Sequence, residues 1–273
     1  MKKQIVYVMA MLILLLAACA KEEPEDEKEP IENNDSVEER GGETEEPVEE
    51  PPAEEIVEEV AEPLYALNPV TYSVEPIGDA NAKVVLLTID DAPDKRALDM
   101  AKTLKRLDAP AIFFVNGHFL ATDEKKEVLK EIHDMGFMIG NHTKTHANLK
   151  GITEQQQQEE ILTVSDTVER VIGERPKFFR APFGINTDFS RALAEKEGMT
   201  LMNWSFGYDW EKQYMDAEAI ADIMVNTELL HNGSNLLMHD REWTADALEE
   251  IVLGLRAKGY DLVDPATIKV AKE

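Results

Sequence analysis

The chain has 273 residues, with 55 Asp and Glu against 28 Lys and Arg, a formal net charge of −27 and one cysteine. That length holds one large domain or two small ones. A lone cysteine excludes an intramolecular disulfide, and so acidic a chain argues against nucleic acid as a ligand.

The N-terminus carries Lys2-Lys3 and then an apolar run of fourteen residues, Ile5 to Ala18. The run is too short to span a bilayer comfortably and has the form of an export signal. It ends in Leu16-Ala17-Ala18-Cys19, which resembles the lipobox of bacterial lipoproteins. The resemblance implies that residues 1–18 are cleaved, that Cys19 is lipidated, and that the protein is extracytoplasmic and anchored to the cell membrane. From Lys21 to Pro63 the chain has twenty Asp/Glu, three Lys/Arg, scattered prolines and almost no large apolar residues. Such a segment cannot bury enough apolar surface to offset its ordering entropy, so residues 19–63 read as a disordered acidic tether.

Residues 64–273 read as one alternating α/β domain. The predicted strands are Val84–Ile89, Ala111–Val115, Phe137–Gly140, Lys177–Arg180, Leu201–Ser205, Asn235–Met238 and Tyr260–Val263. Between them lie segments of helical period at 95–107, 122–135, 154–172, 188–197, 216–230 and 243–258. Strands alternating with helices imply parallel βα units, in an open doubly wound sheet or a barrel. The glutamine run 155–158 sits within a predicted helix and is expected to face solvent.

In a (β/α) barrel the chemistry collects at the C-terminal strand ends. This chain places its unusual residues there. Asp90-Asp91 end the first strand, and the third is followed by Asn141-His142-Thr143-Lys144-Thr145-His146. Arg180-Ala181-Pro182-Phe183-Gly184 follows the fourth, Asp209-Trp210 the fifth, and His239 ends the sixth. Two adjacent carboxylates at the end of a buried strand repel, and a cation bound by one of them offsets that repulsion. Two histidines four apart with one carboxylate give three ligands and leave positions open, the pattern of catalytic zinc.

Together TIDDAP, HTKTH, RAPFG, DW and LLMHD, in this order, resemble the motifs of the polysaccharide deacetylase family, the NodB-homology domain of carbohydrate esterase family four. The likeness covers about residues 84–265. It implies an α/β fold, a distorted (β/α) barrel of about seven parallel strands. It implies a metal-dependent hydrolase that removes N-acetyl groups from amino sugars of a cell-surface glycan, peptidoglycan first and chitin-like oligosaccharide next. Asp90 then resembles the catalytic base, and Asp91, His142 and His146 the ligands of one divalent metal ion, zinc ahead of cobalt, nickel or manganese. Arg180 would orient Asp90, the Phe183 backbone N–H would help hold the oxyanion, and His239 would be the general acid, tuned by Asp209. Trp210 and Trp204 read either as a sugar-stacking wall or as core packing. The expected partners are an N-acetylated glycan and, through the lipid, a membrane; the enzyme is expected to be a monomer. Two rivals remain, an O-acetyl esterase acting on a polysaccharide and a pseudoenzyme that binds glycan without turnover.

Two departures bear on the site. Ala92 stands where the family has glycine, so a left-handed turn there would be strained. Phe183 stands where tyrosine is common. Elsewhere, His118 and His133 read as incidental, and His231 as the end of a helix.

Overall fold

The computed structural model describes residues 62–271. The expected leader, Cys19 and the tether up to residue 61 lie outside the described residues. No helix among those described is long and apolar enough to cross a membrane.

Strand β3, Val84–Ala92, is the centre of the fold and is buried at every position. Helix α1 (Ala97–Arg106) leads to β4 (Ile112–Val115), and α2 (Asp123–Asp134) leads to β5 (Met138–Asn141). Then follow α3 (Glu154–Ile172), β6 (Phe178–Phe179), α4 (Asp188–Lys196), β7 (Thr200–Leu201), α5 (Ala217–Asn226), β8 (Ser234–His239), α6 (Glu242–Ala257) and β9 (Asp261–Leu262). All pairings in this sheet are parallel, in the order β7-β6-β5-β4-β3-β8, with β9 beside the start of β3. Five residues past β7, Phe206 bridges to Leu236 of β8 and brings the two ends of the sheet together. The result is the expected distorted barrel.

Some features differ from the sequence reading. A short antiparallel hairpin, β1 (Tyr65–Leu67) and β2 (Val74–Pro76), precedes the barrel. It packs Tyr65 and Val74 on Leu86, Ile112, Phe178 and Ile268. Three-residue strands carry too little alternation to announce themselves. Helix α5 ends at Asn226, so His231 lies in the loop beyond it rather than at a helix end.

Helix α3 begins and ends where its sequence says. Thr153 and Gln156 form a reciprocal capping box, and Gly173 closes the helix in the left-handed region at φ 86°. Its glutamine run does not all face solvent: Gln157 is buried and accepts a hydrogen bond from the Thr187 hydroxyl.

Strand alternation sorts the barrel into two faces. Val85, Leu87 and Ile89 face the helices, together with Phe113, Val115, Leu236 and Met238. Leu86 faces the interior with Ile112, Phe114 and Phe178, above the hairpin. The same parity carries Thr88 and Asp90 inward, one and two steps nearer the C-terminal rim. The interior is therefore apolar at its base and becomes polar toward the rim.

Candidate active site

At that rim a cavity of about 400 Å³ is lined by Asp90, Asp91, His142, His146, Phe183, Trp204, Trp210, Leu237, His239 and Arg241. Regular alternation would turn Asp91 away from it, toward the helices. A bulge prevents this: the β3–β4 register shifts between Ile89 and Ala92, and Asp91 takes φ 61°. A bulge re-aims side chains in this way, and Asp tolerates the left-handed region better than most residues. The expected strain at Ala92 is thus not found; the positive φ falls one residue earlier, and Ala92 is the last residue of β3.

Asp90 is held from within the barrel. Arg180, fully buried, donates from Nη1 to Asp90 Oδ1 at 2.7 Å and to Thr88 Oγ1 at 2.8 Å. Its Nη2 donates to the Asn203 carbonyl at 2.8 Å, and its plane lies over the Phe114 ring, 4.3 Å from the centroid. Burial lowers the guanidinium pKa below its ordinary value, and Asp90 pulls in the other direction. A buried carboxylate needs such a partner, and a rigid fork held at several points also fixes its orientation.

Asp91 faces the two histidines. Its Oδ1 lies 4.0 Å from His142 Nε2 and 3.8 Å from His146 Nε2. The three residues each offer a ligand atom, all within 4.8 Å of one another. His142 Nδ1 is 2.8 Å from the Arg180 carbonyl. A carbonyl only accepts, so Nδ1 carries a hydrogen and Nε2 is the nitrogen left to act as a ligand. Burial and then His142 hold the His146 pKa below its ordinary value, which favours the neutral imidazole. Burial raises the Asp91 carboxyl, but His142, His239, Arg241 and His146 more than offset it, leaving it below the usual range. Two imidazoles and a carboxylate are a donor set that fits zinc.

The loop carrying the histidines is strained. Thr143 has φ 68° and His146 φ 59°. For a β-branched residue this is a genuine outlier, costing on the order of 1–3 kcal/mol. Asn141 Oδ1 accepts from the Thr143 N–H at 2.9 Å, and the Gly117 N–H donates to the Thr143 carbonyl at 2.9 Å. A Cβ on Gly117 would lie 2.9 Å from the Lys144 Cα, so this close approach needs glycine.

Across the cavity, His239 Nδ1 and Asp209 Oδ1 are 2.7 Å apart, and the His239 N–H donates to Asp209 Oδ2 at 2.6 Å. Burial pushes the His239 pKa down; Asp209, with smaller help from Asp90 and Asp91, reverses this and leaves it raised. Asp209 does meet His239, as the sequence reading expects. Trp210 stands edge-on to His239, with ring centroids 5.4 Å apart, and Phe183 stands edge-on to His146 at 4.8 Å. Phe183 is 60% exposed and Trp210 44%, so both form the open lip of the cavity.

Several contributors were not assigned to the site from the sequence. Arg241 donates from Nη2 to Asp91 Oδ2 at 2.8 Å. Trp243 Nε1 donates to the Asp209 carbonyl, and Thr244 Oγ1 to Asp209 Oδ2, both at 2.8 Å. These residues open α6 directly after His239, and only the turn of the chain there returns them to the site. His118 and His133 lie outside the cavity, and His133 pairs with Glu174 at 2.9 Å.

A parallel (β/α) barrel whose rim gathers an Asp-His-His cluster, an arginine-held aspartate and a histidine–aspartate pair defines a class of hydrolase. Comparison with known proteins identifies the family. Residues 77–202 match the family model described as polysaccharide deacetylase. A peptidoglycan-N-acetylglucosamine deacetylase of Bacillus cereus is 30% identical over 209 residues, 72% of this chain and 72% of the relative. The solved structure of the peptidoglycan deacetylase PdaC from Bacillus subtilis is 30% identical, with a TM-score of 0.60, over 68% of this chain and 89% of that one. A CE4 family pseudoenzyme from Bacillus anthracis is 26% identical, with a TM-score of 0.60, and this chain spans 63% of its length. The chain belongs to the polysaccharide deacetylase family, and its enzyme class is polysaccharide deacetylase.

Proposed function

We propose that the protein is a metal-dependent hydrolase that removes N-acetyl groups from the amino sugars of a cell-surface glycan, with peptidoglycan its first substrate. The observation that carries this reading is the division of labour between two adjacent carboxylates. Asp91 Oδ1 lies between the two imidazoles, whereas Asp90 has one oxygen fixed on Arg180 and only the other turned toward His142, at 3.5 Å from Nε2. Asp91, His142 and His146 would hold one divalent ion, zinc ahead of cobalt, nickel or manganese. When bound, that ion polarises the acetyl carbonyl and makes a water more acidic.

The remaining work falls to the chain. Asp90, with Oδ1 tied to Arg180, accepts the proton of the attacking water at its other oxygen. The water oxygen adds to the carbonyl carbon, and the backbone N–H of Phe183 donates to the oxyanion that develops. His239, whose Nδ1–H is committed to Asp209, donates from Nε2 to the sugar nitrogen as the C–N bond breaks. The products are acetate and a free amino sugar. Phe183 and Trp210, on the open lip, supply apolar faces for the sugar ring.

We further propose that the leader, a lipidated Cys19 and the acidic tether would hold this activity outside the cell at the membrane, and that the protein would act as a monomer. A Cys19→Ala variant that still took up fatty-acid label would end the anchoring proposal. The activity is tested by incubating the zinc-loaded protein with N-acetylglucosamine oligomers and with purified peptidoglycan, and measuring acetate. Release from neither, with zinc bound, would leave the protein a glycan-binding pseudoenzyme; release only from O-acetylated polymers would make it an esterase.

A further inference from the structure

The loop between His142 and His146 leans on a residue of a distant helix. The Thr145 N–H donates to Glu160 Oε2 at 2.8 Å, and Thr145 Oγ1 donates to Glu160 Oε1 at 2.6 Å. Glu160 belongs to α3 and is 8% exposed, on the helix face that also buries Gln157, Ile161 and Val164. A carboxylate on such a face is costly unless donors compensate it, and here both donors come from one residue of the loop.

The position of that residue matters. Left-handed residues persist only where their surroundings over-determine them. Thr143 is held by Asn141 and Gly117, but His146, three residues further on, is left-handed too. Between them α3 grips the loop twice, through adjacent residues. Glu159 pairs with Lys144 at 2.7 Å, with both side chains exposed. Surface pairs of that kind contribute little. The buried Glu160 grips Thr145, the immediate neighbour of His146.

We propose that Glu160 is a positioning residue that fixes His146 in its left-handed conformation facing Asp91, and so sets the affinity of the site for its metal. The inference rests on the reading of Asp91, His142 and His146 as ligands. Without Glu160, Thr145 loses both acceptors, the backbone at His146 is free to leave the left-handed region, and its imidazole swings away. His142, held by the Arg180 carbonyl, stays in place.

The test is zinc affinity, measured on the full chain by competition with a chromophoric chelator, alongside the melting temperature of the zinc-free protein. Glu160→Ala is expected to weaken binding about 10–100-fold, the usual effect of removing an outer partner of a metal ligand. Glu160→Gln retains one acceptor and gains a donor for the Thr145 hydroxyl, and is expected to restore most of that loss. Glu159→Gln, one residue away, should bind as wild type. If Glu160→Ala does not fold, Thr145→Val removes the hydroxyl half of the contact alone and should weaken zinc several-fold. Wild-type affinity in Glu160→Ala, or in Thr145→Val where it is the variant used, with only the melting temperature lowered, would overturn the proposal. A wild-type protein that binds no zinc would overturn the ligand assignment, and this inference with it.

Discussion

The two sides of the cavity treat the same side chain in opposite ways. On the β5 side, burial and a second imidazole lower the His146 pKa, which favours the neutral ring suited to donating a lone pair. On the β8 side, burial acts on His239 in the same direction, yet its pKa is raised, because Asp209 bonds the ring directly. Burial alone therefore does not set the direction of a histidine's shift, because a directly bonded carboxylate reverses it. At Nδ1 His142 meets a neutral carbonyl, whereas His239 meets a carboxylate.

The largest effect should come from breaking the lone-pair side. His142→Ala leaves two ligands where three are needed, and elemental analysis of the purified variant should find no stoichiometric zinc. Full zinc content and activity would refute the ligand set. Asp90→Asn should keep the metal and lose about 10²–10⁴-fold in rate, the usual worth of a positioned base. Metal content and acetate release on the same preparation check both halves of that expectation. His239→Ala should fall by a similar factor with substrate binding largely kept, since the loss is of a proton donor. Near-normal turnover would remove the assigned acid.

A subtler change sharpens the contrast. His239 must be imidazolium to act as the acid, so activity is present below its pKa and lost as pH rises through it. Its folded pKa is raised above the ordinary value of about 6.5. Asp209→Asn removes the largest raising influence while burial remains, so the alkaline limb of the pH–rate profile should move to lower pH. An unmoved limb, with chemistry shown to limit the rate, would break the pairing. The smallest effect is expected from Trp243→Phe, which deletes a donor to the Asp209 main chain but leaves the carboxylate on the ring. It should cost about 0.5–1.5 kcal/mol of stability in urea unfolding, with the alkaline limb where it was.

Much of this was legible beforehand because the patterns are local. The run Val84–Ile89 is apolar at both parities save Thr88, so it had to be a strand covered on both faces. Helix α3 runs over the residues that a Thr153 cap and a closing Gly173 delimit. Five strand ends carrying polar residues in a βα repeat imply a common rim, since parallel strands all end on the same side. What sequence could not supply was register and contact across long separations. The positive φ at Asp91 instead of Ala92 depends on how β3 pairs with β4. Asp209 meets His239 because α6 starts at the right height to hold Asp209 with Thr244 and Trp243. Glu160 and Arg241 look like ordinary surface charges until α3 and α6 are packed on the barrel. The sequence by itself determined which residue types reach the rim, because alternation and helical period act over a few residues. Only the tertiary structure decided which atom of each faces which neighbour, because that depends on the summed packing of elements far apart in the chain.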